Sequence, residues 1–188
     1  MELKLFAHGY RITVSNHSPY ADVASLPPCD AEHLLDWPGF QPSTRHAVTT
    51  VDPAGHSRSC MLIASGGATG VHDRSAFVHD GRLIVAVGPR ACSLRLPGLD
   101  LEWNARVDDA TCFGIYYSAK HDCFVSHGEL SIARVALDGT VVWSAGGKDI
   151  FSEGFSLHDD CAEVVDFNHE TYRVDLTTGE LSIIGVVK

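Results

Sequence analysis

Along most of the chain, apolar and polar side chains alternate with a period of two, the spacing of half-buried β-strands. Leu3–Ala7 and Tyr10–Ser15 show it on either side of His8-Gly9, which predicts an N-terminal β-hairpin over residues 1–15. From Arg45 onward, short apolar runs succeed one another between turns rich in Gly and Asp, so residues 45–188 read as a series of short strands. Residues 16–44 are irregular and broken by Pro and Gly, and read as an insertion. Within it, Asp30-Ala31-Glu32-His33-Leu34-Leu35-Asp36-Trp37 predicts one or two turns of helix, with Asp30 as N-cap and Pro38 as the stop. No other stretch carries a helical pattern. The expected fold class is all-β, in a single domain spanning 1–188.

The strands repeat. Gly55, Gly98, Gly139 and Gly179 occupy turns that are 43, 41 and 40 residues apart. A second series, His79-Asp80, His121-Asp122 and His158-Asp159, falls between them, its aspartates 42 and 37 residues apart. Trp103 and Trp143, 40 residues apart, each close the last strand of a unit. A period near 40 with four short strands per unit is the pattern of β-propeller blades. The physical reason is packing: one four-stranded sheet leaves a face bare, and stacking sheets around an axis buries it. About four units fit, which predicts a small or incomplete β-propeller, with a twisted β-sandwich as the alternative. The N-terminal hairpin would supply the inner two strands of the first unit. If the ring stays open, its edge would be covered by the insertion or by a second copy, making a homo-oligomer.

Ala136-Leu137-Asp138-Gly139-Thr140-Val141-Val142-Trp143-Ser144 resembles the outer hairpin of a propeller blade of the WD40-like or quinoprotein-like kind. Asp175-Leu176-Thr177-Thr178-Gly179-Glu180-Leu181 is similar to the same hairpin of the following blade. The resemblance covers roughly residues 45–184 and implies architecture. The Gly-His and Trp-Asp signatures of WD40 repeats and the Ala-Asp-Thr-Gly-Trp pattern of quinone-binding blades are absent, so it carries no functional residue across and no cofactor is expected.

Charge narrows the partners. With 14 Lys and Arg against 24 Asp and Glu, the net charge is −10. Such a surface repels phosphate backbones and anionic lipid, which argues against nucleic acid and membrane and favours a basic protein partner. No apolar run approaches the roughly 20 residues of a membrane helix. Met1–His8, with its early acid, does not read as a secretory signal, so a cytoplasmic location is expected. Cys29, Cys60, Cys92, Cys112, Cys123 and Cys161 are dispersed without a C-x-x-C pair, and read as reduced thiols, mostly in strand interiors.

Candidate chemistry is sparse. Four His-Asp pairs occur, His72-Asp73 and the three turn pairs above, but an aspartate at a tight turn more simply accepts turn amides. No metal site is expected from them. Ser65–Gly70 and Ser144–Asp149 are glycine-rich yet open no helix, so they read as connectors rather than phosphate cradles. Topology is more informative. In a four-stranded blade, the blade-joining loops share a face with the loops between second and third strands. Here those loops carry His72, Asp73, Asp108, Asp109, His127, Glu129, Asp149 and His169, which together form the candidate binding face. The expected function is a non-enzymatic protein-binding module with an acidic, loop-rich face, in its concrete form a neutraliser of a basic protein. The competing readings are a hydrolase or lyase using the same His and Asp residues, and a structural subunit of an oligomeric ring.

Overall fold

The computed structural model describes residues 1–21 and 26–186. Part of the insertion, residues 22–25, and the last two residues of the repeat region lie outside them. Among the described residues every regular element is a β-strand. Seventeen strands form four sheets.

The first sheet contains β1 (Glu2–Ala7), β2 (Tyr10–His17), β3 (Ala31–Leu34), β4 (Thr44–Val51) and β5 (Ser57–Ala64), in the order β1-β2-β4-β5-β3. The second is the meander β6 (Ala76–His79), β7 (Arg82–Val87), β8 (Arg90–Arg95), β9 (Asp100–Arg106). The third is β10 (Cys112–Ser118), β11 (Cys123–Gly128), β12 (Ser131–Val135), β13 (Val141–Gly146). The fourth is β14 (Gly154–Leu157), β15 (Cys161–Val165), β16 (Glu170–Asp175), β17 (Leu181–Val186). The N-terminal hairpin does supply the first two strands of the first sheet, as the repeat length required.

The helix expected over residues 30–37 is not formed. Residues 31–34 are instead β3, which pairs parallel to β5 on the outer edge of the first sheet. Asp30 is no N-cap; its carboxylate accepts hydrogen bonds from the Ser59 amide (2.8 Å) and hydroxyl (3.3 Å). An eight-residue helix is marginal by itself, whereas the open edge of β5 offers a row of backbone partners and a slot for Leu35, which is buried with the core between the first two sheets.

Three apolar cores join the four sheets in series. The first holds Ile12, Val14, Val48 and Leu62 against Leu83, Val85 and Leu94. The second packs Ile84, Ala86 and Ala105 against Ile115, Phe124 and Val135. The third packs Val125 and Ile132 against Val164, Tyr172 and Val174. Among the described residues no comparable core joins the fourth sheet back to the first. On the outward face of the fourth sheet Glu163 and Arg173 pair at 2.8 Å. On the outward face of the first, Cys29 and Phe40 of the insertion pack on Ala47, Met61 and Ile63. The molecule is thus an open arc of four blades, an incomplete propeller.

The same lock recurs between blades. Trp103 Nε1 and Arg82 Nη1 both donate to the Leu137 carbonyl, each at 3.1 Å. One blade further on, Trp143 Nε1 (3.3 Å) and Arg134 Nη1 (3.0 Å) donate to the Leu176 carbonyl. In each case the indole lies flat on the turn glycine of the next blade: a Cβ on Gly139 or Gly179 would sit 2.7 Å from indole carbons. Both glycines also hold positive φ, +90° and +76°. The sequence-level Trp and Gly periodicities are therefore two halves of one contact.

The cysteines are unpaired, and Cys60, Cys92, Cys112 and Cys123 are buried in strands. Burial pushes the thiols of Cys60 and Cys112 up to about 12. Native protein should accordingly incorporate iodoacetamide only slowly and only at the half-buried Cys29 and Cys161 by peptide mass mapping; rapid labelling of Cys60 or Cys92 would contradict the packing. Trp143→Ala should cost about 3–5 kcal/mol in urea unfolding, and Gly179→Ala about 1–3 kcal/mol through strain and contact with the indole. A Trp143→Ala protein with unchanged stability would show that the lock does not hold the last two blades together.

Candidate functional site

The first strands of the sheets converge: β1 contacts β6, and β10 contacts β6, β7 and β8. They form an inner rim, onto which the blade-joining loops open. Residues of three successive blades meet there. The Arg74 guanidinium lies over the Tyr116 ring at 5.5 Å. Tyr116 packs on Phe155 at 4.5 Å, Phe155 stacks on His127 at 4.8 Å and 15°, and His127 meets the edge of Phe113 at 5.5 Å. Asp73, Arg74, Phe77, Tyr116 and Leu157 line a shallow cavity of about 190 Å³ beside this row. Tyr116 and Phe155 are only half-buried, while His72, Asp73 and Arg74 are exposed.

The positions expected to form the binding face divide into three groups. Asp108 is not on the surface: it is 4% exposed. Its Oδ1 accepts the amides of Ala110 (2.7 Å) and Thr111 (3.0 Å), and its Oδ2 accepts those of Leu130 (2.9 Å) and Ser131 (2.8 Å) together with the Ser131 hydroxyl (3.1 Å). This carboxylate ties the loop between the second and third sheets to the β11–β12 turn, and has no capacity left for a partner. Asp149 is tied similarly, to the Ile150 amide (2.8 Å) and the Asn168 side chain (2.7 Å). His169 is exposed in a turn with φ +64°, its amide donating to Asp166. Glu129 uses its backbone, accepting from Phe151 and donating to Thr111, both at 2.7 Å. Asp109 is exposed, with Arg106 3.3 Å away. Only His72, Asp73 and His127 approach the aromatic row.

His127 is structural as well as central. Its Nε2 donates to the Phe151 carbonyl at 3.1 Å. Burial lowers its pKa to about 4, so the ring is neutral at physiological pH. Sequence reasoning missed His46, which is fully buried with neither ring nitrogen hydrogen-bonded. Burial holds it down at about 4 too, helped by His17 and His72 nearby. It also missed Asp36, whose Oδ2 accepts the Ser65 amide (2.7 Å) and hydroxyl (2.9 Å) and whose Oδ1 faces Arg90 at 2.7 Å. Burial works against that charge, but the bonds from Ser65 and Arg90 outweigh it and lower the pKa. Its place inside the helix expected over residues 30–37 hid this role. The aromatic row was legible only as separate apolar strand residues. Among the described residues, no three His, Cys, Asp or Glu side chains cluster in a manner that could hold a metal ion.

The two neutral histidines make stability depend on pH. The unfolded chain protonates them near 6.5, the folded chain near 4. Between those values the unfolded state binds more protons, so stability is complete above about pH 6.5 and falls as pH drops toward 4. Each group contributes a slope of up to about 1.4 kcal/mol per pH unit in that window. Urea unfolding of His46→Gln at pH 7 and pH 5 should show a smaller loss than wild type; an equal loss would mean that His46 is already charged in the folded protein.

No family model matches the sequence, and no curated protein matches it. Solved structures match its shape. It is similar to the WD40 domain of Pan2 from Neurospora crassa, with 14% identity and a TM-score of 0.50 over 60% of this chain and 38% of that one. It is also similar to the AfRom2 CNH domain, with 11% identity and a TM-score of 0.59 over 100% of this chain and 55% of that one. The chain thus spans 38% to 55% of the lengths of these matched chains. At such identities the likeness is one of fold: four blades of a β-propeller.

Proposed function

We propose that the protein is an interaction module that holds a basic segment of a partner protein against its inner rim. The observation that carries this reading is the half-buried aromatic row Tyr116–Phe155–His127, framed on its open side by the exposed Asp73. Aromatic faces attract Lys and Arg side chains, and Arg74 already occupies one such face. The scaffold below is rigid, since Tyr116, His127 and Phe155 stand on strands of two locked blades. The net charge of −10 would steer a basic partner toward the molecule. A neutraliser of a basic protein is the concrete form of this function. Asp109, Glu129 and Asp149 belong to its outer electrostatic field, and Asp108 to its framework.

Affinity capture from a cell extract followed by surface plasmon resonance with the captured protein tests the reading. Tyr116→Ala should weaken binding by about 1–3 kcal/mol, as loss of an aromatic anchor does. The double variant Asp73→Lys, Asp109→Lys should slow association by roughly tenfold at low salt while leaving dissociation nearly unchanged. A partner whose association and dissociation ignore all three substitutions would place the binding surface elsewhere on the arc.

A further inference from the structure

The molecule contains a worked example of strand addition to the outer rim of a blade. β3 lies parallel along β5, the outer strand of the first sheet, with Ala31–Leu34 in register with Cys60–Ile63. The next residue, Leu35, donates its amide to the Ile63 carbonyl at 2.9 Å and drops its side chain into the core between the first two sheets. Its carbonyl accepts from the Asn104 side chain at 2.6 Å. Asp36 then reaches Arg90, the first residue of β8. An added segment thus makes three kinds of contact: backbone pairing on one blade, an apolar anchor in the groove between two blades, and an ion pair on the second.

The strand registers identify the same positions in the other grooves. Asn104 pairs with Cys92 on β8, Ser144 with Ala133 on β12, and Ile183 with Tyr172 on β16. By the same count, Arg90 corresponds to Ser131 and Glu170, each the first residue of its third strand. In the groove between the second and third sheets this site is a cavity of about 420 Å³ whose lining is largely charged or hydroxyl-bearing, with Arg106, Asp108, Asp109, Ser131 and Ser144, and whose rim carries the Arg106–Asp109 pair. Between the third and fourth sheets the groove has a more apolar lining. It is a cavity of about 390 Å³ formed by Gly146, Gly147, Lys148, Tyr172, Leu181 and Ile183. Ile183 is 46% exposed, and beside the groove β13 ends its sheet as an edge strand.

We propose that this groove is a second docking surface, separate from the inner rim, which takes an extended peptide segment of a partner protein as a fifth strand parallel to β13. Its apolar side chain fills the cavity against Tyr172, Leu181 and Ile183. The charge at the ion-pair position is reversed relative to the first groove: Arg90 meets the chain's own Asp36, whereas Glu170 stands in the equivalent place. The incoming segment therefore carries a basic residue directly after its apolar anchor, joining Lys148, which lies 3.0 Å from Glu170, at that carboxylate. Extended segments recognised in this way gain affinity from main-chain pairing and specificity from alternate side chains.

The probe is a library of random twelve-residue peptides displayed on phage, panned against the folded full chain, with synthetic copies of the selected peptides titrated by fluorescence anisotropy. The expected consensus is an apolar residue followed by Lys or Arg. Ile183→Lys should weaken binding at least tenfold while Ile183→Leu keeps it, with circular dichroism checking that each variant retains the fold. Glu170→Arg should move the selected consensus from a basic to an acidic residue after the anchor. Asp73→Lys and Tyr116→Ala should leave these peptides unaffected. Selected peptides that lose affinity with Tyr116→Ala but not with Ile183→Lys would overturn this proposal and support the inner-rim reading. No enriched consensus, or binding indifferent to Ile183→Lys, would overturn it and leave the inner rim untouched.

Discussion

The contact on which the arc depends is an indole lying on a glycine. A four-stranded sheet that must bury both faces needs each neighbour at a set distance and angle, and apolar packing by itself is permissive about both. Trp103 and Trp143 remove that freedom. Each ring covers the turn glycine of the following blade, where a Cβ would stand 2.7 Å from ring carbons. Each Nε1–H, with an arginine beside it, satisfies the carbonyl at the start of the same turn. The indole offers both a broad apolar face and a donor at its edge, so a single side chain seals the groove and meets a backbone group that the packing would otherwise leave unpaired. The last blade has no such ring: Ser182 pairs with Arg173 where Trp143 pairs with Arg134. Its outward face carries the Glu163–Arg173 pair instead.

Carboxylates divide between framework and surface according to how many donors surround them. Asp108 collects five hydrogen bonds and Asp36 is closed by Ser65 and Arg90, so both carboxylates are satisfied while buried and stitch loops to neighbouring blades. Asp73 has none of these partners and faces water beside the aromatic row. A loop-face aspartate can thus serve the fold or a ligand, and only the local supply of amides and hydroxyls decides which.

The insertion shows how the first blade is finished. On the face of the first sheet turned away from the second, Cys29 and Phe40 cover Met61 and Ile63. Its strand β3 closes the outer edge of β5 and sends Leu35 into the adjoining core. The insertion therefore does for the first sheet part of what a neighbouring blade would do.

Much of this architecture was legible in the order of residues. Alternating apolar positions, His-Asp turns, turn glycines and the two tryptophans recur at one period, because each blade meets the same local demands: a pleated strand, a positive-φ turn and a seal at the outer rim. Asp80 and Asp122, at φ +46° and +45°, sit where that reading put tight turns. Residues 30–37 misled, because their spacing suits a short helix and nothing local announces that β5 has a free edge needing a partner. Asp108 and Asp109 are adjacent in sequence and look alike, yet one is buried among five donors and the other is in water. The aromatic row draws Arg74, Tyr116, Phe155 and His127 from three blades, and the burial that keeps His46 and His127 neutral comes from neighbours far along the chain. The sequence by itself determined the blade, since a blade is built from contacts within about 40 residues. The tertiary structure alone decided which side chains share a surface, because burial and convergence depend on how blades are stacked and no local pattern encodes that.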